Sequence, residues 1–67
     1  MKNYLNYLKG RIREMQKTYS DCAAFLGISA ATFSDKMNGK RKFYIEELDR
    51  LGDFLGMTSE EKGKIFL

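Results

Sequence analysis

The side chains able to do covalent or acid–base chemistry are few in this chain. Its 67 residues include one cysteine and no histidine, tryptophan or proline. A lone Cys22 excludes an internal disulfide, and zinc sites normally draw their ligands from Cys and His. Ser20, Ser29 and Ser34 lack a histidine to act as base, so nucleophilic catalysis has no support. No enzyme activity, cofactor, metal or small-molecule substrate is therefore expected. What remains is charge. Twelve Lys and Arg stand against nine Asp and Glu, a net +3, and they are unevenly spread. Lys2, Lys9, Arg11, Arg13 and Lys17 face only Glu14 in the first 19 residues, and Lys36, Lys40, Arg41 and Lys42 form a second block. The acids gather in the tail, at Glu46, Glu47, Asp49, Asp53, Glu60 and Glu61. A single charge run is ordinarily a solvated face. Two basic blocks that a fold can bring together point to a polyanionic partner.

The elements that must position these charges read as helices. Hydrophobic residues make up 43% of the chain, enough to fold, and β-branched residues are too few for a sheet. Asn3 is placed to cap a first helix in which Leu5, Leu8, Ile12 and Met15 recur at spacings of three and four. Gly10 inside it weakens the helix and suggests a close helix contact there. Thr18 with Asp21 is a capping-box pattern that opens a second helix, stopped by Gly27. Cys22 and Leu26 share its inner face, with Phe25 at the core flank. Ser29 caps a third helix running to Asn38, with Phe33 and Met37 as its buried stripe and Gly39 as its stop. A basic loop follows to Tyr44. A fourth helix spans Ile45 to Leu55, with Ile45, Leu48, Leu51 and Leu55 on one face, and Gly52 weakens it slightly. Thr58 with Glu61 opens a short last helix ending in Ile65, Phe66 and Leu67.

Helices this short are not stable alone and must pack together. The expectation is one all-α domain over residues 1–67, a compact five-helix bundle. The longest apolar run, Cys22 to Leu26, is far short of the roughly 20 residues of a membrane span. Asn3, Asn6, Lys9, Arg11 and Arg13 interrupt any secretory apolar region, so a reduced, cytoplasmic protein is expected.

Residues 18–39 read TYSDCAAFLGISAATFSDKMNG. This segment resembles the helix-turn-helix of the Cro/repressor (Xre-like) phage regulators. The match consists of a small Ala23 at the helix crossing, Gly27 in the turn, Ile28 after it, and Cys22, Leu26, Phe33 and Met37 as shared core. Asn38-Gly39 closes the third helix, and the likeness extends to Leu8-Lys9-Gly10-Arg11-Ile12 before it and Leu55-Gly56-Met57-Thr58 after it. The resemblance implies a lambda-repressor-like fold whose third helix enters the DNA major groove.

By position, Ala30, Ala31, Ser34 and Asp35 match the family's base-reading sites. At about 100° per residue, Asp35 lies most nearly opposite the buried stripe, with Ala31, Thr32 and Asn38 beside it and Ser34 and Lys36 on the flanks. Thr32 therefore joins the base-facing set. Asn38 matches a phosphate-contacting site. Lys40, Arg41 and Lys42 would grip the backbone, together with Lys36, Arg11, Thr18 and Tyr19. Tyr19 replaces the family's usual glutamine, so its hydroxyl can meet a phosphate but cannot form the amide bridge to the third helix. Ala30 and Ala31 replace longer polar readers and offer methyl contacts to thymine; Asp35 can accept from cytosine N4.

Family members commonly dimerise through the last helix, so Phe66 and Leu67 form either a dimer seam or a bundle cap. The expected function is a sequence-specific regulator binding operator DNA as a homodimer. The alternative is an antitoxin-like or anti-repressor module on the same fold, with a protein interface at Phe25, Tyr19 or the C-terminal apolar patch.

Overall fold

Capping chemistry sets the helix boundaries. A computed structural model describes residues 4–67, and within them the secondary structure is helical throughout. The helices are α1 (Tyr4–Glu14), α2 (Tyr19–Leu26), α3 (Ala30–Met37), α4 (Ile45–Phe54) and α5 (Ser59–Phe66). Asn3, the expected cap of α1, lies outside the described residues. Thr18 Oγ1 accepts from the Asp21 amide at 3.0 Å while an Asp21 carboxylate oxygen accepts from the Thr18 amide at 2.9 Å. Thr58 and Glu61 repeat the exchange at the start of α5, both bonds at 3.1 Å. Ser29 Oγ accepts from the Thr32 amide at 3.0 Å and opens α3. These reciprocal bonds satisfy first-turn amides that have no partner within the helix.

The helix ends follow the same logic. Gly27 takes φ of 75°, which lets the Ile28 amide reach the Ala23 carbonyl at 3.0 Å and turns the chain from α2 into α3. At the end of α1 the left-handed position falls on Gln16, with φ of 57°, and the Lys17 amide bonds the Ile12 carbonyl at 3.1 Å. The turn is the same as at Gly27, but made with a side chain that resists that conformation.

The core is drawn from every helix except the short α5. Leu8 and Ile12 from α1 meet Cys22, Ala23 and Leu26 from α2, Phe33 and Met37 from α3, and Leu48 and Leu51 from α4. Phe43, Leu55 and Met57 close it from the loops. Phe33 is its centre, fully buried, with Tyr19 and Phe43 packed edge-on at centroid distances of 5.3 and 5.9 Å. Ala23 is buried in this core, and a larger side chain there would overpack it. Cys22 is fully buried, and that burial pushes its thiol up to about 11, so it is an inert apolar filler.

Four expectations change. Phe25 is 39% exposed, because the inward stripe of α2 is taken by Cys22, Ala23 and Leu26; it stacks instead on Phe54 at 4.5 Å. Ile45 is 55% exposed, since it begins α4 at the edge of the core and the buried stripe starts at Leu48. Met15 falls after the end of α1 and is exposed as well. The close helix contact expected at Gly10 occurs at Gly52, where a methyl group would come within 2.7 Å of Lys62 Cδ. Lys62 lies across α4 there and bonds Asp49 and Asp53, both at 2.7 Å.

A methyl group at Gly10 would meet nothing within 4 Å. Gly10→Ala is therefore expected to raise folding stability by about 1 kcal/mol through helix propensity alone. Urea denaturation checks this, and an unchanged or lower midpoint would show that Gly10 has a packing role.

Candidate nucleic-acid interface

The outer surface of α3 is built from small side chains. Ala30 and Ala31 are exposed at its start, and Thr32, Ser34 and Asp35 are half-buried along it. The Ser29 hydroxyl donates to Thr32 Oγ1 at 2.9 Å, which orients the threonine back toward the cap. Asn38 is exposed and its amide donates to Ser34 Oγ at 3.4 Å. With Phe33 and Met37 turned into the core, the helix leaves a narrow ridge that protrudes little beyond its own backbone.

The basic loop folds back onto the last turn of this ridge. The Asp35 carbonyl accepts from the Lys40 amide at 2.9 Å and the Arg41 amide at 3.3 Å. Asp35 Oδ2 also faces Arg41 Nε at 3.8 Å. Lys40, Arg41 and Lys42 are all exposed. A cleft of about 510 Å³ beside α3 is lined by Ile28, by Thr32 and Lys36 of the helix, by Arg41, Lys42 and Tyr44 of the loop, and by Glu47. Small ridge, groove and cations are thus contiguous.

Two residues expected on phosphates have other partners. Lys36 is only 6% exposed, and its ammonium bonds Glu47 Oε1 at 2.6 Å between the rings of Phe43 and Tyr44. The same carboxylate oxygen accepts from the Tyr44 amide at 2.9 Å, so Lys36 ties α3 to the start of α4. Burial works to raise the Glu47 carboxyl, but the hydrogen bonds from Lys36 and Tyr44 outweigh it and hold it below the ordinary range. Arg11 donates to the carbonyls of Leu55 and Gly56, both at 2.9 Å, and lies within 3.8 Å of Glu61. It clasps α1 to the turn before α5. Beside it the Tyr7 hydroxyl donates to Glu61; that bond leads the causes that lower the Glu61 carboxyl.

Thr18 is exposed but its hydroxyl is engaged as the α2 cap, and Tyr19 is half-buried against Phe33. At the other end of the molecule, Phe66 is half-buried and Leu67 is 92% exposed. They line an apolar groove of about 400 Å³ with Ile45 and Gly63.

Three members of the first basic block, which the sequence reading does not single out as site residues, come together in the fold. Lys9, Arg13 and Lys17 line a cleft of about 310 Å³ between α1 and the start of α2. The spacing of four between Lys9 and Arg13 was the available signal, since it puts them on one side of α1, and the turn at Gln16 then brings Lys17 to the same cleft. Lys17 is steadied there by the Phe54 ring, 4.9 Å from its ammonium.

Among the described residues no helix is long and apolar enough to cross a membrane, and no group of three or more His, Cys, Asp or Glu is placed to hold a metal. Comparison of this chain with family models, curated proteins and solved structures gave no match.

Proposed function

We propose that this chain binds duplex DNA through α3, as a dimeric, sequence-specific transcription regulator of the Cro/repressor type on a lambda-repressor-like helix-turn-helix. The observation that carries the reading is the ridge of exposed Ala30 and Ala31 and half-buried Ser34 and Asp35, with the Lys40–Lys42 loop folded against its end. A ridge without long side chains can sit deep in a major groove, bringing the alanine methyls against thymine methyls. The loop cations then meet the flanking phosphates, which supply most of the affinity. Asn38, at the end of the ridge, adds a neutral donor. Lys36 and Arg11 serve the fold in this scheme.

A single module of this size covers only about 600–1,000 Å² of DNA, so selectivity calls for two half-sites about 34 Å apart and hence a dimer. The groove at Phe66 and Leu67 is the surface assigned to that pairing. Exposure of Phe25 favours the second reading, an antitoxin-like or anti-repressor module that uses the same fold for protein contact. Recovery of bound duplexes from a random pool separates the two. A shared sequence with two-fold symmetry is expected, and recovery of no preferred sequence would favour the protein-contact reading.

The Asp35–Arg41 pair makes a sharper test. Asp35→Ala removes a carboxylate from the DNA-facing ridge and frees Arg41 for phosphate. An exposed pair is worth about 0.2–1 kcal/mol, so affinity for random duplexes should rise by a factor of about 1.4 to 5. Loss of preference at a single C·G pair, with no general tightening, would instead show the carboxylate reading cytosine.

A further inference from the structure

We infer that the cleft formed by Lys9, Arg13 and Lys17 is a binding site for a phosphoryl group. It lies between the C-terminal half of α1 and the first turn of α2, with Ile12, Thr18 and Tyr19 completing its lining and no carboxylate among the lining residues. Four other cations pair with acids: Arg11 with Glu14 and Glu61, Lys36 with Glu47, Arg41 with Asp35, and Lys62 with Asp49 and Asp53, whereas Lys40, Lys42, Arg50 and Lys64 are spread over the surface without an ion pair among the described residues. Lys9, Arg13 and Lys17 form no ion pair among the described residues. The nearest acids along the chain have other partners: Glu14 faces Arg11 at 3.5 Å, and an Asp21 carboxylate oxygen is engaged by the Thr18 amide.

Three positive side chains around one small cleft repel one another until an anion enters. Arg13 brings a planar donor fork suited to phosphoryl oxygens, and the two lysines add point charges to the same lining. The C-terminal end of α1 favours Arg13 electrostatically, and Lys17 rests on Phe54, so two of the three are held in place without a counter-ion. This assignment stands whether or not α3 reads a duplex. The phosphoryl group belongs either to a DNA backbone or to a free phosphorylated molecule.

Thermal unfolding of the whole chain in pyrophosphate, against chloride at equal ionic strength, is the test. Pyrophosphate at ten times its Kd should raise Tm by about 6–11 °C. The double variant Lys9→Gln/Arg13→Gln, which changes only partly or fully exposed positions, should lose most of that rise. The triple variant Lys40→Gln/Arg41→Gln/Lys42→Gln should keep it. Absence of a rise in the parent chain, a rise that survives Lys9→Gln/Arg13→Gln, or one abolished by the loop variant alone would overturn the assignment. Where the site is confirmed, duplex affinity of the same double variant identifies the source. A tenfold or greater loss assigns the cleft to a backbone phosphate; undiminished duplex binding assigns it to a free ligand.

Discussion

Replacing Lys36 by alanine is expected to lower folding stability by about 2–3 kcal/mol, somewhat below the range for breaking a fully buried ion pair because Glu47 keeps some solvent contact. The loss has a specific origin. Without the ammonium, the Glu47 carboxylate keeps only the Tyr44 amide as a partner, in a site that burial makes unfavourable for charge. The cation also leaves the faces of Phe43 and Tyr44, which hold the loop between α3 and α4. A domain this small rarely has more than about 3–5 kcal/mol in hand, so the variant should be close to unfolding at ordinary temperature. Replacing both partners, as Lys36→Met/Glu47→Leu, removes the stranded charge and should recover most of the stability. Urea denaturation of the three proteins measures this. Equal stabilities for the single and double variants would mean that the pair does not anchor α3.

The second large effect falls on binding. Lys40→Ala/Arg41→Ala/Lys42→Ala removes three exposed cations from the loop beside α3. Each neutralised phosphate contributes about 0.9 to the slope of log K against log salt, so three contacts account for a slope change of about 2.7 and an affinity loss of roughly a hundredfold or more near 0.1 M salt. The loss should be the same for every duplex, because phosphate contacts carry no base information. The fold should survive, as none of the three side chains is buried. Weakening confined to one sequence would move the loop from the backbone to the base edges. Arg41 contributes least of the three, being already opposed by Asp35 at 3.8 Å.

Local chemistry was legible in the sequence. Thr18 with Asp21, Thr58 with Glu61 and Ser29 before α3 set helix starts by bonds that span three residues, and Gly27 sets a stop by its backbone freedom. The buried stripe of α3 followed from the spacing of Phe33 and Met37. Features that depend on a distant partner were not legible. Lys36 reads as a flank residue of α3 because nothing near it announces Glu47, eleven residues on and in another helix. Arg11 reads as one more surface cation, whereas its carbonyl partners at Leu55 and Gly56 come from the far end of the chain. Phe25 illustrates the converse. An aromatic ring was assigned to the core by its chemistry, but the narrow inward stripe of an eight-residue helix was already filled. The ridge of α3 was thus readable by position, while deciding which cations remain free to meet a phosphate required the assembled fold.

The most direct test is to titrate the whole chain with a random-sequence duplex at several salt concentrations. A straight fall of log K with log salt is expected, with a slope of about −3 or steeper if the loop cations displace counter-ions from at least three phosphates. A chain that shows no association with duplex even at the lowest salt would contradict the placement of α3 and its cationic loop against DNA.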